Sequence, residues 1–132
     1  MLFRSGMGAG DHVTRVRAEE RPAGHPTPGM VREEGVSVDG LWAGFVCTEA
    51  GMTSGWHHHG EYETAIYIID GIFRIEFGAD GSEVIEATAG DFLHVPPGAV
   101  HREHNPGAEE SHVIVVRAGH GEAVTNVDGP AH

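Results

Sequence analysis

A single cysteine, Cys47, serves the whole chain, so no internal disulfide braces the fold and stability has to come from a packed core. Basic residues are scarce: eight face twenty acids, leaving a formal charge of -12. A chain so acidic repels phosphate backbones and anionic lipid heads, which excludes nucleic acid and membrane surfaces as expected partners. Long apolar runs are missing too. No stretch approaches the roughly 20 residues of a spanning helix, and no basic start leads into an apolar segment as in a signal peptide. With one thiol and no targeting segment, a reducing, cytoplasmic setting is expected. Helical periodicity is nowhere sustained, which argues against a helical fold.

What is present is one domain's worth of core, 132 residues of which 39% are hydrophobic. Residues 1–12, glycine-rich and without periodicity, read as a flexible arm, leaving residues 13–132 as a single domain with extensions at both ends. The segment from Val13 to Met30 starts with an alternation that suits a short edge strand and is then broken by prolines and glycines. From Val36 onward, strand-like runs and turn residues alternate about every ten residues, the pattern of an antiparallel sandwich or barrel. The runs are 41–50, 64–70, 72–77, 83–87, 92–95, 99–104 and 111–118, with 123–127 as a last edge strand or a crossing to a partner subunit. Phe73, Ile75 and Phe77 share one face, Arg74 and Glu76 the other, so one face is buried and one wet.

Eleven histidines spread from His12 to His132, and their clustering carries more than their number. In "HHH" at 57–59, strand geometry puts His57 and His59 on one face, able to converge on one ion, and His58 on the other. The second cluster, "GDFLHVPPGAVHREHN" at 90–105, aims His101 through a rigid turn made by Pro96, Pro97 and Gly98. His94 is a candidate pocket residue, and parity from His101 sends His104 outward. Cys47 reads as a buried thiol, and the aromatic side chains as core or interface.

Together these clusters resemble the two motifs of the cupin superfamily. Gly90, Pro96, Gly98, His101 and Asn105 match the second motif at every spacing, and Gly51, His57, His59 and Gly71 match the first. The resemblance covers roughly residues 36–118 and implies an all-β antiparallel barrel, a double-stranded β-helix of jelly-roll type. It also implies a divalent metal held by His57, His59, His101 and a glutamate. That glutamate is offset. Counting forward from His59 gives Glu63, and counting back from Gly71 gives Thr64. Because a one-residue slip turns a side chain to the other face, Glu63 is a ligand only if a bulge or the loop absorbs the extra residue. Glu61, Tyr62 and water are the alternatives.

Three imidazoles suit zinc, iron, nickel, copper or manganese without choosing among them. The resemblance implies a metal-dependent enzyme acting on a small polar molecule, as an oxygenase, isomerase or lyase. The alternative is a non-catalytic small-molecule binding or sensing domain, since one fold hosts both. Either form is expected to be a homodimer.

Overall fold

Antiparallel strands make up the architecture of the computed structural model, which describes residues 12–132. In chain order they are β1 (Met30–Val38), β2 (Leu41–Thr48), β3 (His57–His58), β4 (Glu63–Asp70), β5 (Phe73–Phe77), β6 (Glu83–Ala87), β7 (Phe92–Val95), β8 (His101–His104), β9 (Ser111–Ala118) and β10 (Thr125–Asn126). They form two five-stranded sheets, ordered β1-β2-β9-β4-β7 and β10-β3-β8-β5-β6. Among the described residues no helix is long and apolar enough to cross a membrane.

Side-chain alternation builds the core. On β4 the inward positions are Thr64, Ile66 and Ile68, and on β9 they are Ser111, Val113, Val115 and Arg117. Val46 of β2, Phe73 and Ile75 of β5, Ala87 of β6 and Val95 of β7 complete a layer shared by both sheets. Each large aliphatic chain removed from water here contributes roughly 1.5–3 kcal/mol. The same parity has a second effect. At one end of the apolar layer it turns polar side chains inward, Thr64 beside Ile66 and Arg117 beside Val115, and these two are cross-strand partners. The sheet interior therefore has an apolar part and a polar part.

Two glycines hold the turns that matter. Gly71, at φ +81°, closes the β4–β5 turn, and a Cβ there would lie 2.7 Å from the Ser111 Cβ. Gly98, at φ +72°, lets the turn after the prolines reverse, and its N–H donates to the Gly60 carbonyl at 2.8 Å. That bond ties the approach to His101 onto the loop that follows His59.

Two expectations change. The alternating start at residues 13–17 forms no strand. A short 3-10 turn follows at Ala18–Glu20, and this segment meets the sheet through a bridge between Ala23 and Glu33, backbone bonds from Gly24 N–H to the Arg32 carbonyl and from Glu34 N–H to the Pro22 carbonyl, and an ion pair between Arg21 and Glu33. Pro22, Pro26 and Pro28 lack the N–H that a ladder needs. The first strand starts at Met30, six residues ahead of Val36, and a register shift between Glu34 and Val36 absorbs its irregularity. Of the two readings of the tail, the edge strand is the one the fold takes: Thr125–Asn126 pairs with β3 at the edge of its sheet. The expected N-terminal arm lies outside the described residues except for His12, which is exposed and in no strand.

Candidate metal centre

Strand pairing, and not proximity in sequence, assembles the histidines. β3 pairs with β8 so that His57 and His101 stand opposite each other. Their ring centroids are 4.3 Å apart, and His59 lies 5.1 Å from His57 and 5.0 Å from His101. All three rings are buried. Glu103, two residues past His101 and hence on the same face, brings one carboxylate oxygen to 3.0 Å from His101 Nε2 and 3.1 Å from His57 Nε2. The side chain of Glu103 is 12% exposed. One ligand atom from each of these four residues lies within 4.8 Å of the others.

The orientation of the rings is fixed from behind. His57 Nδ1 donates to the Gly55 carbonyl at 2.9 Å, His59 Nδ1 to the Ala123 carbonyl at 2.7 Å, and His101 Nδ1 to the Ala99 carbonyl at 2.8 Å. A carbonyl oxygen only accepts, so each Nδ1 carries hydrogen and each Nε2 is left for the centre. This is the outer support that holds metal-binding histidines in one tautomer.

Electrostatics differ among the four. Burial drives the His59 pKa down to about 4 against the pull of the Ala123 carbonyl, so this ring is neutral. Burial also opposes protonation of His57, but the hydrogen bond and charge of Glu103 outweigh it and raise that pKa. For Glu103 burial favours the acid, and the hydrogen bonds from His101 and His57 override it, holding the carboxyl well below its usual range. Glu103 is thus an anion among imidazoles, and it favours protonation of His57, with which a metal ion would compete.

Of the residues expected from sequence, the fold brings together His57, His59 and His101 but not Glu63. Glu63 opens β4 on its outer side, where its side chain is 58% exposed and bonds His94 Nε2 at 2.7 Å. No bulge turns it inward, and β4 pairs regularly with β9 from Glu63 to Ile68. Thr64, the residue reached by counting back from Gly71, is the inward one, and its Oγ1 has no hydrogen-bond partner. His94, a candidate pocket residue, has an exposed side chain bonded to Glu63 and lines, with His101, a pocket of about 160 Å³. Glu61 is exposed, whereas Tyr62 lines a cleft beside the centre. His58 turns away to accept the Gly60 N–H, as parity requires. His104 bonds Thr53 Oγ1 and the Met52 carbonyl. Asn105 is a clasp: its amide bonds the Thr48, Glu49 and Glu109 carbonyls and accepts from Gly107 N–H. Glu103 escaped the sequence reading, although the parity that sends His104 outward also sends residue 103 inward.

A void of about 30 Å³ touches His57, His59, Glu103, Thr64, Arg32 and Arg117. His57 and Glu103 also line a cleft of about 420 Å³ with Arg32, and His101 lines the pocket of about 160 Å³ that it shares with His94. A further cleft of about 420 Å³ touches none of the four; it shares the two arginines with the void and adds Trp42, Tyr62 and Glu34. Arg32 donates to the His25 carbonyl and to Thr27 Oγ1, and the Arg117 guanidinium lies over Trp42, 5.0 Å from its ring centroid.

A donor set of three imidazoles with directed Nε2 atoms and one anionic carboxylate fits a first-row divalent ion. No functionally curated protein matches the sequence. Solved structures do. KdgF from Halomonas sp. is similar with a TM-score of 0.70 and 20% identity, over 82% of this chain and 96% of that one. An RmlC-like cupin from Shewanella frigidimarina NCIMB 400 has a TM-score of 0.66 and 22% identity, over 80% and 90%. Oxalate decarboxylase from Bacillus subtilis has a TM-score of 0.66 and 22% identity, over 77% of this chain and 29% of that one. The family profile described as "Cupin domain" matches residues 44–117, more than half of the sequence, and the chain belongs to the cupin family.

Proposed function

We propose that the protein is a metal-dependent cupin enzyme acting on a small polar molecule, with His57, His59, His101 and Glu103 holding one divalent ion among zinc, iron, nickel, copper and manganese. The observation that carries this reading is the convergence of four ligand atoms whose three imidazoles are each anchored through Nδ1. Glu103 takes the role that sequence spacing gave to Glu63. Manganese belongs among the metals to test because the similar oxalate decarboxylase has Mn(II) centres.

A bound ion supplies Lewis acidity or an oxygen-binding centre. The chain's own groups do the rest. The Gly55, Ala99 and Ala123 carbonyls keep the rings aimed, and Glu103 balances charge without needing a proton near neutral pH. The apolar layer behind the centre excludes water, and the cleft that shares both arginines with the void has the size of a small-molecule site. The Tyr62 hydroxyl and Glu34 carboxylate in that cleft are placed to exchange protons with a bound molecule.

A non-catalytic binding module is the alternative. The two arginines favour it, because guanidinium groups hold charge and do not transfer protons. To separate the readings, the protein is reconstituted with each of the five metals and tested for oxygen consumption and turnover of small acids, phenols and sugars. Turnover with one metal supports the enzyme. Tight ligand binding without turnover under any of them supports the module. The same proposal takes the protein as a homodimer, which would cover the exposed Val31, Val36, Val38 and Leu41 along β1 and β2. A monomer mass by light scattering removes that part.

A further inference from the structure

Arg117 is 9% exposed, and its Nε has no hydrogen-bond partner. Arg32 bonds only a carbonyl and a hydroxyl, and among the described residues no carboxylate forms an ion pair with either guanidinium. Burying such a cation without an anion is costly, and the cost is tolerated where a ligand completes the pair. Both arginines wall the void beside the histidines and also the larger cleft, whose sole lining carboxylate is Glu34.

We propose that Arg117 and Arg32 form a carboxylate-binding subsite beside the metal centre, so that the protein's ligand is a small carboxylate anion. Three observations specify the class. The Arg117 guanidinium lies over the Trp42 ring, 5.0 Å from its centroid, and its Nε is unpartnered, which leaves an N–H for the paired Arg–carboxylate contact that a planar guanidinium makes. Its cross-strand partner is Thr64, also buried with an unpartnered Oγ1, where the counted family spacing has a glutamate. With threonine there, Arg117 has no carboxylate paired to it: Glu103 acts on it only through its charge and is bonded to His57 and His101, so a ligand carboxylate takes the open place. Finally, the void of about 30 Å³ is two to three times the roughly 10–15 Å³ needed for a water, so it accepts only a small group. A flat carboxylate end suits that space better than a tetrahedral phosphoryl group, and the apolar walls from Val46, Phe73 and Val113 suit a short carbon chain. On a chain of net charge -12, this interior cationic pair is also what draws a small anion in. The subsite rests on the proposed metal reading only for what the far end of the ligand meets.

Binding of pyruvate, lactate, malonate and succinate is measured by calorimetry on metal-loaded protein, against hydroxyacetone, lactamide and inorganic phosphate. At least one carboxylate is expected to bind tenfold or more tightly than the neutral compounds and than phosphate. Arg117→Met is expected to remove at least tenfold of that affinity, Arg32→Met a smaller factor, and Arg117→Lys to recover part, because the charge returns without the fork. Elemental analysis of each variant should show unchanged metal. Equal binding of charged and neutral compounds, preference for phosphate, or unchanged carboxylate affinity in folded Arg117→Met and Arg32→Met overturns the subsite. Thermal shift with the same carboxylates on chelator-treated protein keeps the two readings apart. A shift lost in Arg117→Met from protein that never takes up metal supports the subsite and defeats the metal centre.

Discussion

Between the sheets, His57, His59 and His101 gather around Glu103; on the outer face, His112 lies between Asp70 and Glu110, with Cys47 opposite it on β2. Both groups put imidazole and carboxylate within 4.8 Å. They differ in what holds the rings. Inside, neutral carbonyls take the Nδ1 hydrogens and the Nε2 atoms face one point. Outside, His112 places Nδ1 2.6 Å from Asp70 and Nε2 3.3 Å from Glu110, so carboxylates occupy both nitrogens and stabilise the cation. The bond to Asp70 raises the His112 pKa against a small opposing effect of burial. Cys47 is pushed up to about 11, chiefly by burial and then by Glu110, so the thiol keeps its proton. Imidazole and carboxylate thus give a group that could hold a metal ion in one place and an exposed ion-pair cluster with a raised histidine pKa in the other. The partner of the second nitrogen and the degree of burial decide which.

The strongest way to break this contrast is to truncate one histidine from each group. His101→Ala should reduce metal content from near one ion per chain to below about a tenth, whereas His112→Ala should leave it unchanged, as read by elemental analysis of folded protein. Loss in both, or in neither, would show that the interior group is not the centre. Next come the two carboxylates. Glu103→Gln should weaken metal affinity by about 10–100-fold or more, the range found even for supporting groups. Glu63→Gln, which touches only surface His94, should leave a competition titration with a coloured chelator unchanged.

A third variant alters the interior alone. Thr64→Glu restores an acid at the position counted back from Gly71 and sets it opposite Arg117. An internal ion pair would then replace the ligand, and carboxylate binding should fall by about tenfold or more in calorimetry. Retained affinity would mean that Arg117 does not bind the ligand.

The smallest effects are opposite pH slopes in metal-free protein. For His59, lowered from 6.5 to about 4, the unfolded chain takes the proton first as pH falls. Wild type should therefore lose stability relative to His59→Gln between pH 6.5 and 4, at up to about 1.4 kcal/mol per unit. For His112, whose pKa is raised, the folded chain takes the proton first. Its contribution is full below the unfolded value and is lost as pH rises through the folded one, so wild type should gain on His112→Gln as pH falls. That gain should stay under about 1 kcal/mol, since solvent screens the pair. Urea melts across this range measure both, and slopes of one sign would contradict a neutral His59 alongside a cationic His112.

Local rules read much of this fold. β6, β7 and β9 begin and end where turn residues bound an apolar alternation, and that punctuation is visible in one dimension. β1 escaped because its charged residues Arg32, Glu33 and Glu34 hide the alternation. β3 escaped because a two-residue strand has no period; only its partners β8 and β10 define it. At the site, parity along a strand pairs His57 with His59 and the proline turn singles out His101, and the fold brings these three rings together. The glutamate was sought near the first histidines, within one local motif.

Sequence alone determined the sheet-forming alternation, the turn positions, the absence of disulfide bracing and the three histidines. These depend on residues a few positions apart, where steric and conformational preferences act directly. Tertiary structure decided that Glu103 and not Glu63 faces the rings, that Arg117 stands opposite Thr64 with its Nε unpartnered, and that the His112 pKa is raised while that of His59 is lowered. Those outcomes depend on which strands pair and on how far each group is from water. A strand's own sequence sets the face of a side chain, but not what stands across from it.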